Sequence, residues 1–273
     1  MRTHRKSALE HVRRSRSLEI SQEIASTVLL PIAFVVAVFA VWEVACRAFA
    51  ISSFVLPAPS RIFPVLWENY DAIMVNAGQT AWTTLIGFAI GTAAGLILGA
   101  VVGSSAAVYG AVYPTLIGFN TIPKVALVPV FVVWFGYGTN IAIITAAITC
   151  VFPVLVVVAT AVATTEPELT DVLRSFGARK RDVLIKVAIP RAMPQFFGSI
   201  NIAIVAAFIG TVIAEMVAAN GGLGYLMVVG SGNLDVPLVF AGLILLSAMG
   251  LMFYVVAAFF EKRMTAWAYR GAQ

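Results

Sequence analysis

"GFAIGTAAGLILGAVVG" fills residues 87–103 without a single charge, and it places a glycine at every fourth position: Gly87, Gly91, Gly95, Gly99 and Gly103. Residues four apart lie one above another on the same face of an α-helix. Read as a helix, the stretch therefore carries five glycines in one stripe. In lipid, apolar side chains gain nothing by leaving the solvent, so helices associate through close packing at small residues. The stripe is accordingly a helix-packing surface, within the chain or with a partner, rather than a ligand site.

The rest of the chain supports lipid as the solvent. Sixty per cent of its 273 residues are hydrophobic and 11% are charged, whereas soluble domains are about a quarter charged. A hydrocarbon core of about 30 Å needs roughly 20 apolar helical residues to cross it. Six stretches qualify: 27–49, 79–103, 108–134, 140–163, 194–218 and 236–260. Their charged residues are Glu43, Arg47, Lys124 and Glu215. Backbone polar groups cannot go unpaired in lipid, so each run is read as a helix, and strand alternation for a barrel is lacking. The fold class is an all-α membrane protein with six transmembrane helices.

Lys and Arg set the orientation. Fifteen of the 18 basic residues fall before the first span, between the fourth and fifth, or after the sixth. These three segments share one side, the cytoplasm, so both termini are cytoplasmic. The expected organisation is a basic tail at 1–26, one transmembrane domain at 27–262 with a cytoplasmic loop at 164–191, and a tail at 263–273. The net charge of +5 follows from these blocks, not from an aromatic-studded basic face, and nucleic acid is not an expected partner. "RAFAIS" (47–52) has the small-residue look of a signal-peptidase site. The apolar run before it is longer than a signal peptide needs, so an uncleaved first helix is expected. Cys46 and Cys150 sit in apolar runs, and both histidines, His4 and His11, lie in the tail. No cofactor is implied.

Beyond the first span, 51–78 reads as an outer loop with an amphipathic pattern of Ile62, Phe63, Leu66, Trp67 and Tyr70, suited to the headgroup level. "ANGGLGYLM" (219–227) reads as a second outer loop, whose glycines Gly221, Gly222 and Gly224 allow tight or left-handed turns. Lys124 lies inside the third span between Pro123 and Pro129, where a lysine costs about 3 kcal/mol unless it meets a partner or a wet cavity. The prolines kink that helix. Lys124 lines a pathway and favours anions, pairs with Glu215, or snorkels to the interface, and Lys124, Pro123 and Glu215 are the pathway or gate candidates.

"DVLRSFGARKRDVLIKVAIP" (171–190) is the most polar stretch in the middle of the chain. Thr165 and Glu168 have capping-box spacing. Leu169, Val172, Leu173 and Phe176 form one apolar stripe, Gly177 sits at a left-handed helix stop, and a second helix at 180–189 is expected to end at Pro190, with Pro194 preceding the fifth span. An apolar stripe outside the lipid calls for a cover. That cover is either the inner ends of the chain's own helices or another protein.

The stretch resembles the EAA signature of ABC-importer permeases: Glu-Ala-Ala, three residues, glycine, nine residues, an apolar residue, one more, then Leu-Pro. Gly177, Val187, Ile189 and Pro190 match in spacing, and Asp171, Val172 and Leu173 replace Glu-Ala-Ala. "LPAPSRIF", "IGFAIGTAAGLILGAVVG", "TIPKVALVPVFVVWFG", "AEMVAANGGLGYLM" and "VFAGLILLSAMG" are similar, in order, to the nitrate/sulfonate/taurine branch of these permeases. The resemblance implies a type I importer permease of the bacterial inner membrane. Its loop would be a coupling helix, touching an ATPase through Glu168, Leu169, Asp171, Val172, Leu173, Phe176, Gly177, Ala178, Ile189 and Pro190. It further implies two ABC ATPase subunits, a second copy of the chain and an extracytoplasmic solute-binding protein. The chain has no GxxxxGK[ST] phosphate loop, so ATP hydrolysis would fall to separate subunits. A small anion is the expected solute, with a thiamine-pyrimidine precursor or another neutral aromatic as the alternative, and a stand-alone channel or secondary transporter as the rival class.

Overall fold

A computed structural model describes residues 29–164, 172–173 and 175–265. Its helices are α1 (Leu30–Ala48), α2 (Pro59–Glu68), α3 (Tyr70–Gly103), α4 (Ala106–Thr121), α5 (Val128–Phe135), α6 (Thr139–Ala163), α7 (Ile189–Ala218), α8 (Leu223–Gly232) and α9 (Val236–Thr265). There is no strand among the described residues. The chain divides into two compact units, 1–64 and 65–273.

In the first unit, α1 is apolar on every side and almost wholly exposed, as a helix facing lipid should be. Its two charges neutralise each other: Arg47 Nε donates to Glu43 Oε1 at 2.6 Å. The same carboxylate caps α2, accepting from Ser60 N at 3.0 Å and Ser60 Oγ at 2.8 Å. First-turn N–H groups have no partner within their own helix, so this cap fixes where α2 starts. Ile62 is buried, while Phe63 stays exposed.

The second unit is built on α3, α6 and α7. At 34 residues, α3 is about 51 Å long and begins at Tyr70, nine residues before the expected span. All five glycines of the stripe are buried and face α6. A Cβ at Gly87 or Gly91 would collide with Ala146 or Cys150, one at Gly99 would lie 2.8 Å from Val158 Cβ, and one at Gly103 2.6 Å from Ala159 O. The small faces of α3 and α6 thus let two backbones meet, and Cys150, a free buried thiol, fills the space beside Gly91. Val154, Val158 and Val162 of α6, which also face the glycines of α3, belong to one buried cluster with Ala192, Phe196, Ala203 and Ala207 of α7. α9 closes the unit through Phe253, whose ring stands edge-on to Phe208 of α7 at 5.5 Å. At the inner end of that pair the Asn201 side-chain amide donates to Glu261.

Three expectations need correction. The third span is not one helix: α4 and the 124–135 segment meet at a bend of 82°. Pro123 is extended at φ −62° and ψ 104°, and a tight 3-10 turn, Lys124–Leu127, leads into α5. Pro129, at the start of α5, lacks an N–H exactly where none is required. Next, Pro190 does not end a helix. A single helical turn, Lys180–Val183, widens into a π-turn, Leu184–Ala188, and runs on into α7, with Pro190 in the first turn and Pro194 inside the helix. Pro190 sits where the π-turn passes into α7, and the helical path therefore reaches back well before 194. Finally, the glycine loop after α7 is short, and Leu223–Gly232 is helical.

Candidate functional site

Ionisable residues inside spans mark the places to look. Glu215, on α7, is 1% exposed. Its Oε2 accepts from Thr80 Oγ1 at 2.9 Å and from Gly224 N at 3.1 Å, and Thr83 Oγ1 stands 3.5 Å from Oε1. Thr80 also accepts from Leu223 N at 2.8 Å, and Asn76 Oδ1 accepts from Gly222 N at 2.7 Å. Three successive N–H groups at the start of α8 are therefore taken up by side chains of α3 and α7. The glycines make this approach possible. Gly222 has φ +100°, and a Cβ there would fall on the Glu215 carboxyl. A Cβ at Gly221 would strike Gln79, and one at Gly224 would lie 2.6 Å from Val212 O.

Lys124 is placed differently. Its Nζ donates to Asn120 O at 2.6 Å and to Asn120 Oδ1 at 2.7 Å, and lies 5.3 Å from the centre of the Phe152 ring. Glu215 is not among its partners, so the expected alternative of a Lys124–Glu215 pair is overturned. Each group is satisfied locally: the ammonium by the carbonyl and amide exposed where α4 ends, the carboxylate by the threonines of α3. The break at Pro123 puts Lys124 in the 3-10 turn rather than within a continuous helix. α4, which leads into it, has no buried residue.

Of the loop at 164–191, Glu168, Leu169 and Asp171, with the Thr165–Glu168 capping box, lie outside the described residues. In the rest, Gly177 has φ +84°, and Ala178 N donates to Leu173 O at 3.0 Å. This six-to-one bond is the Schellman closure that a left-handed glycine permits. The following turn is capped by its own third residue, Asp182, which accepts from Arg179 N at 3.3 Å. Leu173, Phe176, Gly177, Ala178 and Val183 line a groove with Asp182 and Lys186 at its rim. Phe176 is 85% exposed and Val172 55%, while Leu173 is half-buried. Ile189 and Pro190 open α7 beneath them.

The buried seam, the broken span and the apolar elbow belong to a chain whose described residues include five helices long and apolar enough to cross a membrane, six if the bent pair is one span. The family model described as "Binding-protein-dependent transport system inner membrane component" matches residues 91–266. The chain belongs to this family. The inner-membrane components it resembles include the formylaminopyrimidine transport permease protein ThiX of Halalkalibacterium halodurans, 28% identical over 88% of this chain and 96% of that one. The riboflavin transport system permease protein RibX of Chloroflexus aurantiacus is 32% identical over 83% and 85%. The putative aliphatic sulfonates transport permease protein SsuC of Escherichia coli is 28% identical over 85% and 89%. In fold, the chain is similar to the inward-facing MetNI methionine ABC transporter, with a TM-score of 0.60 at 19% identity, over 73% of this chain and 97% of that one. This inner-membrane component is thus an ABC-importer permease of type I fold, a multi-pass translocation subunit working with ATPase and binding-protein partners.

The sequence reading missed Thr80 and Thr83 as partners of Glu215 and Asn76 as the partner of Gly222. Their spacing of three and four on α3 was a readable signal, because it puts three polar groups on one face next to the glycine stripe.

Proposed function

We propose that two copies of this permease form the pathway for a small anionic solute, of the nitrate, sulfonate or taurine kind, handed over by an extracytoplasmic binding protein. The observation that carries the anion is Lys124. Its ammonium sits in a break between two membrane helices with neutral partners only, Asn120 and the Phe152 ring. An unneutralised cation in a low-dielectric setting favours a passing negative charge. The bend of 82° at Pro123 sets Lys124 between the two helices. Likeness to the SsuC proteins supports the same class.

Two ATPase subunits would dock on the elbow, with the exposed Val172 and Phe176 and the half-buried Leu173 filling a groove, and Gly177 and Ala178 forming the corner. Ile189 and Pro190 would pass the movement into α7. Glu168, Leu169 and Asp171 would extend that surface. The inner bacterial membrane is the expected location.

A second reading has its own support. The permeases named for formylaminopyrimidine and riboflavin are as similar to this chain as the sulfonate ones, and a neutral heteroaromatic solute is the alternative. Uptake by cells expressing the whole system, measured with radiolabelled taurine, nitrate and a formylaminopyrimidine, separates the two. Lys124→Met should abolish uptake of an anion and spare a neutral solute. Unchanged anion uptake in that variant overturns the role given to Lys124. For the elbow, Leu173→Ser with Phe176→Ser should strip the ATPase from the purified complex. Full retention of the ATPase overturns the docking surface.

A further inference from the structure

The outer glycine loop has the composition of a hinge and the contacts of a weld. Residues 219–224 leave the end of α7, and five of the six are buried. Their N–H groups at Gly222, Leu223 and Gly224 end on Asn76, Thr80 and Glu215. Neighbouring bonds continue the rim. Gln79 Nε2 donates to Thr139 Oγ1 at 3.3 Å, and Gly138 N donates to Ala218 O at 3.0 Å. Beyond the loop, α8 is wedged against α9: a Cβ at Gly242 would lie 2.6 Å from Met227 Cγ.

We infer that Glu215 is a positioning residue that, through Thr80 and the N-terminus of α8, locks loop 219–224 to α3 and α7, so that this loop stays fixed while the transporter cycles. Two physical facts support this. A buried carboxylate deprived of its donors is expensive, so opening the loop would expose Glu215, Thr80 and three helix-terminal N–H groups together. Donors from α3 and the start of α8 converge with the acceptor Glu215 of α7, so none of the three helices can move away without breaking the set. Displacement during alternating access then falls on the α4–α5 break, where α4 has no buried residue. The inference does not depend on which solute is carried.

Gly221 allows a direct test. Its φ lies outside the left-handed range, and a side chain there would meet Gln79. Gln79→Cys with Gly221→Cys, in a chain carrying Cys46→Ser and Cys150→Ala, should form a disulfide on oxidation with copper phenanthroline. The measurement is made in membranes holding the complete transporter, first without nucleotide and then trapped with MgATP and vanadate. A fixed loop gives rates equal within about twofold in both states. A larger difference shows that the loop moves with the cycle and overturns the inference. Adding Thr80→Val should slow the cross-link about tenfold, as expected for losing a hydrogen bond to a charged group, and Thr80→Ser in its place should restore it. An unchanged rate with Thr80→Val in folded, extractable protein means that the clamp is not what holds the loop. A Thr80→Val chain that fails to fold leaves the nucleotide comparison to decide.

Discussion

Two regions of this permease, close in composition, are packed in opposite ways. α3 and α6 meet through glycine, alanine and valine until their backbones nearly touch, and the Glu215 cluster closes the outer end of that wall. α4 is just as apolar and carries its own glycines, Gly110 and Gly118, yet a Cβ at either would meet nothing within 4 Å. Its side-chain hydrogen bond to α6 among the described residues is between Tyr109 Oη and Thr160 Oγ1 at 3.2 Å. The lesson is that a glycine in a membrane helix means close packing only when a partner's small face lies opposite. Where it does not, as at Gly110 and Gly118, the glycine brings no second backbone of this chain close.

The largest test of this contrast is to make one substitution in both places. Gly95→Leu should destabilise the chain by about 3 kcal/mol or more, because Val151 O and Val154 Cβ lie 2.8 Å from the new Cβ. Gly118→Leu should change stability by less than about 0.5 kcal/mol. The yield of monodisperse protein and its thermal unfolding in detergent would measure both. Equal losses at the two sites would remove the distinction between wall and loose helix.

Next come two glycines that share a strained backbone but not their surroundings. Gly222→Ala and Gly136→Ala both place a side chain at positive φ, a strain of roughly 1–3 kcal/mol. At Gly136 that is the whole cost, since nothing lies within 4 Å, whereas at Gly222 the methyl also meets the Glu215 carboxyl. Thermal unfolding should therefore rank Gly222→Ala well below Gly136→Ala.

A smaller effect is expected from the buried carboxylate. Glu215→Gln keeps the size but turns one acceptor into a donor facing donors, and should cost about 2 kcal/mol. The smallest belongs to Lys124, whose hydrogen bonds reach only one turn back to Asn120. Lys124→Met should move stability by less than about 0.5 kcal/mol while altering uptake. An unfolding shift for Lys124→Met as large as that for Glu215→Gln would mean that both charges are structural.

Much of the fold was legible because the bilayer simplifies the code. Runs of about 20 apolar residues must be helices, and the six runs correspond to α1, α3, the α4–α5 pair, α6, α7 and α9. The glycine period marked a packing face, and Gly177 marked a corner. The errors fell at element ends. Proline at 190 looked like a stop, but a first-turn proline is also a start, and only the path of the chain through the π-turn at 184–188 distinguishes them. A Lys124–Glu215 pair is one of the alternatives the sequence leaves open, because both are charges in lipid. Each instead found nearer partners that pairwise reading of charges ignores, a helix-end carbonyl for one and threonine hydroxyls with amide N–H groups for the other.

By itself the sequence determined the solvent, the apolar runs long enough to span it, and which helix face must lie against another backbone. Those follow from transfer free energies and from a period of 3.6, properties of single segments. Only the tertiary structure decided that α6 receives the glycines, that the third span breaks by 82°, and that the start of α8 is held by Asn76, Thr80 and Glu215. These depend on groups up to 146 positions apart arriving at one place, and no local pattern encodes which donor will reach a given acceptor.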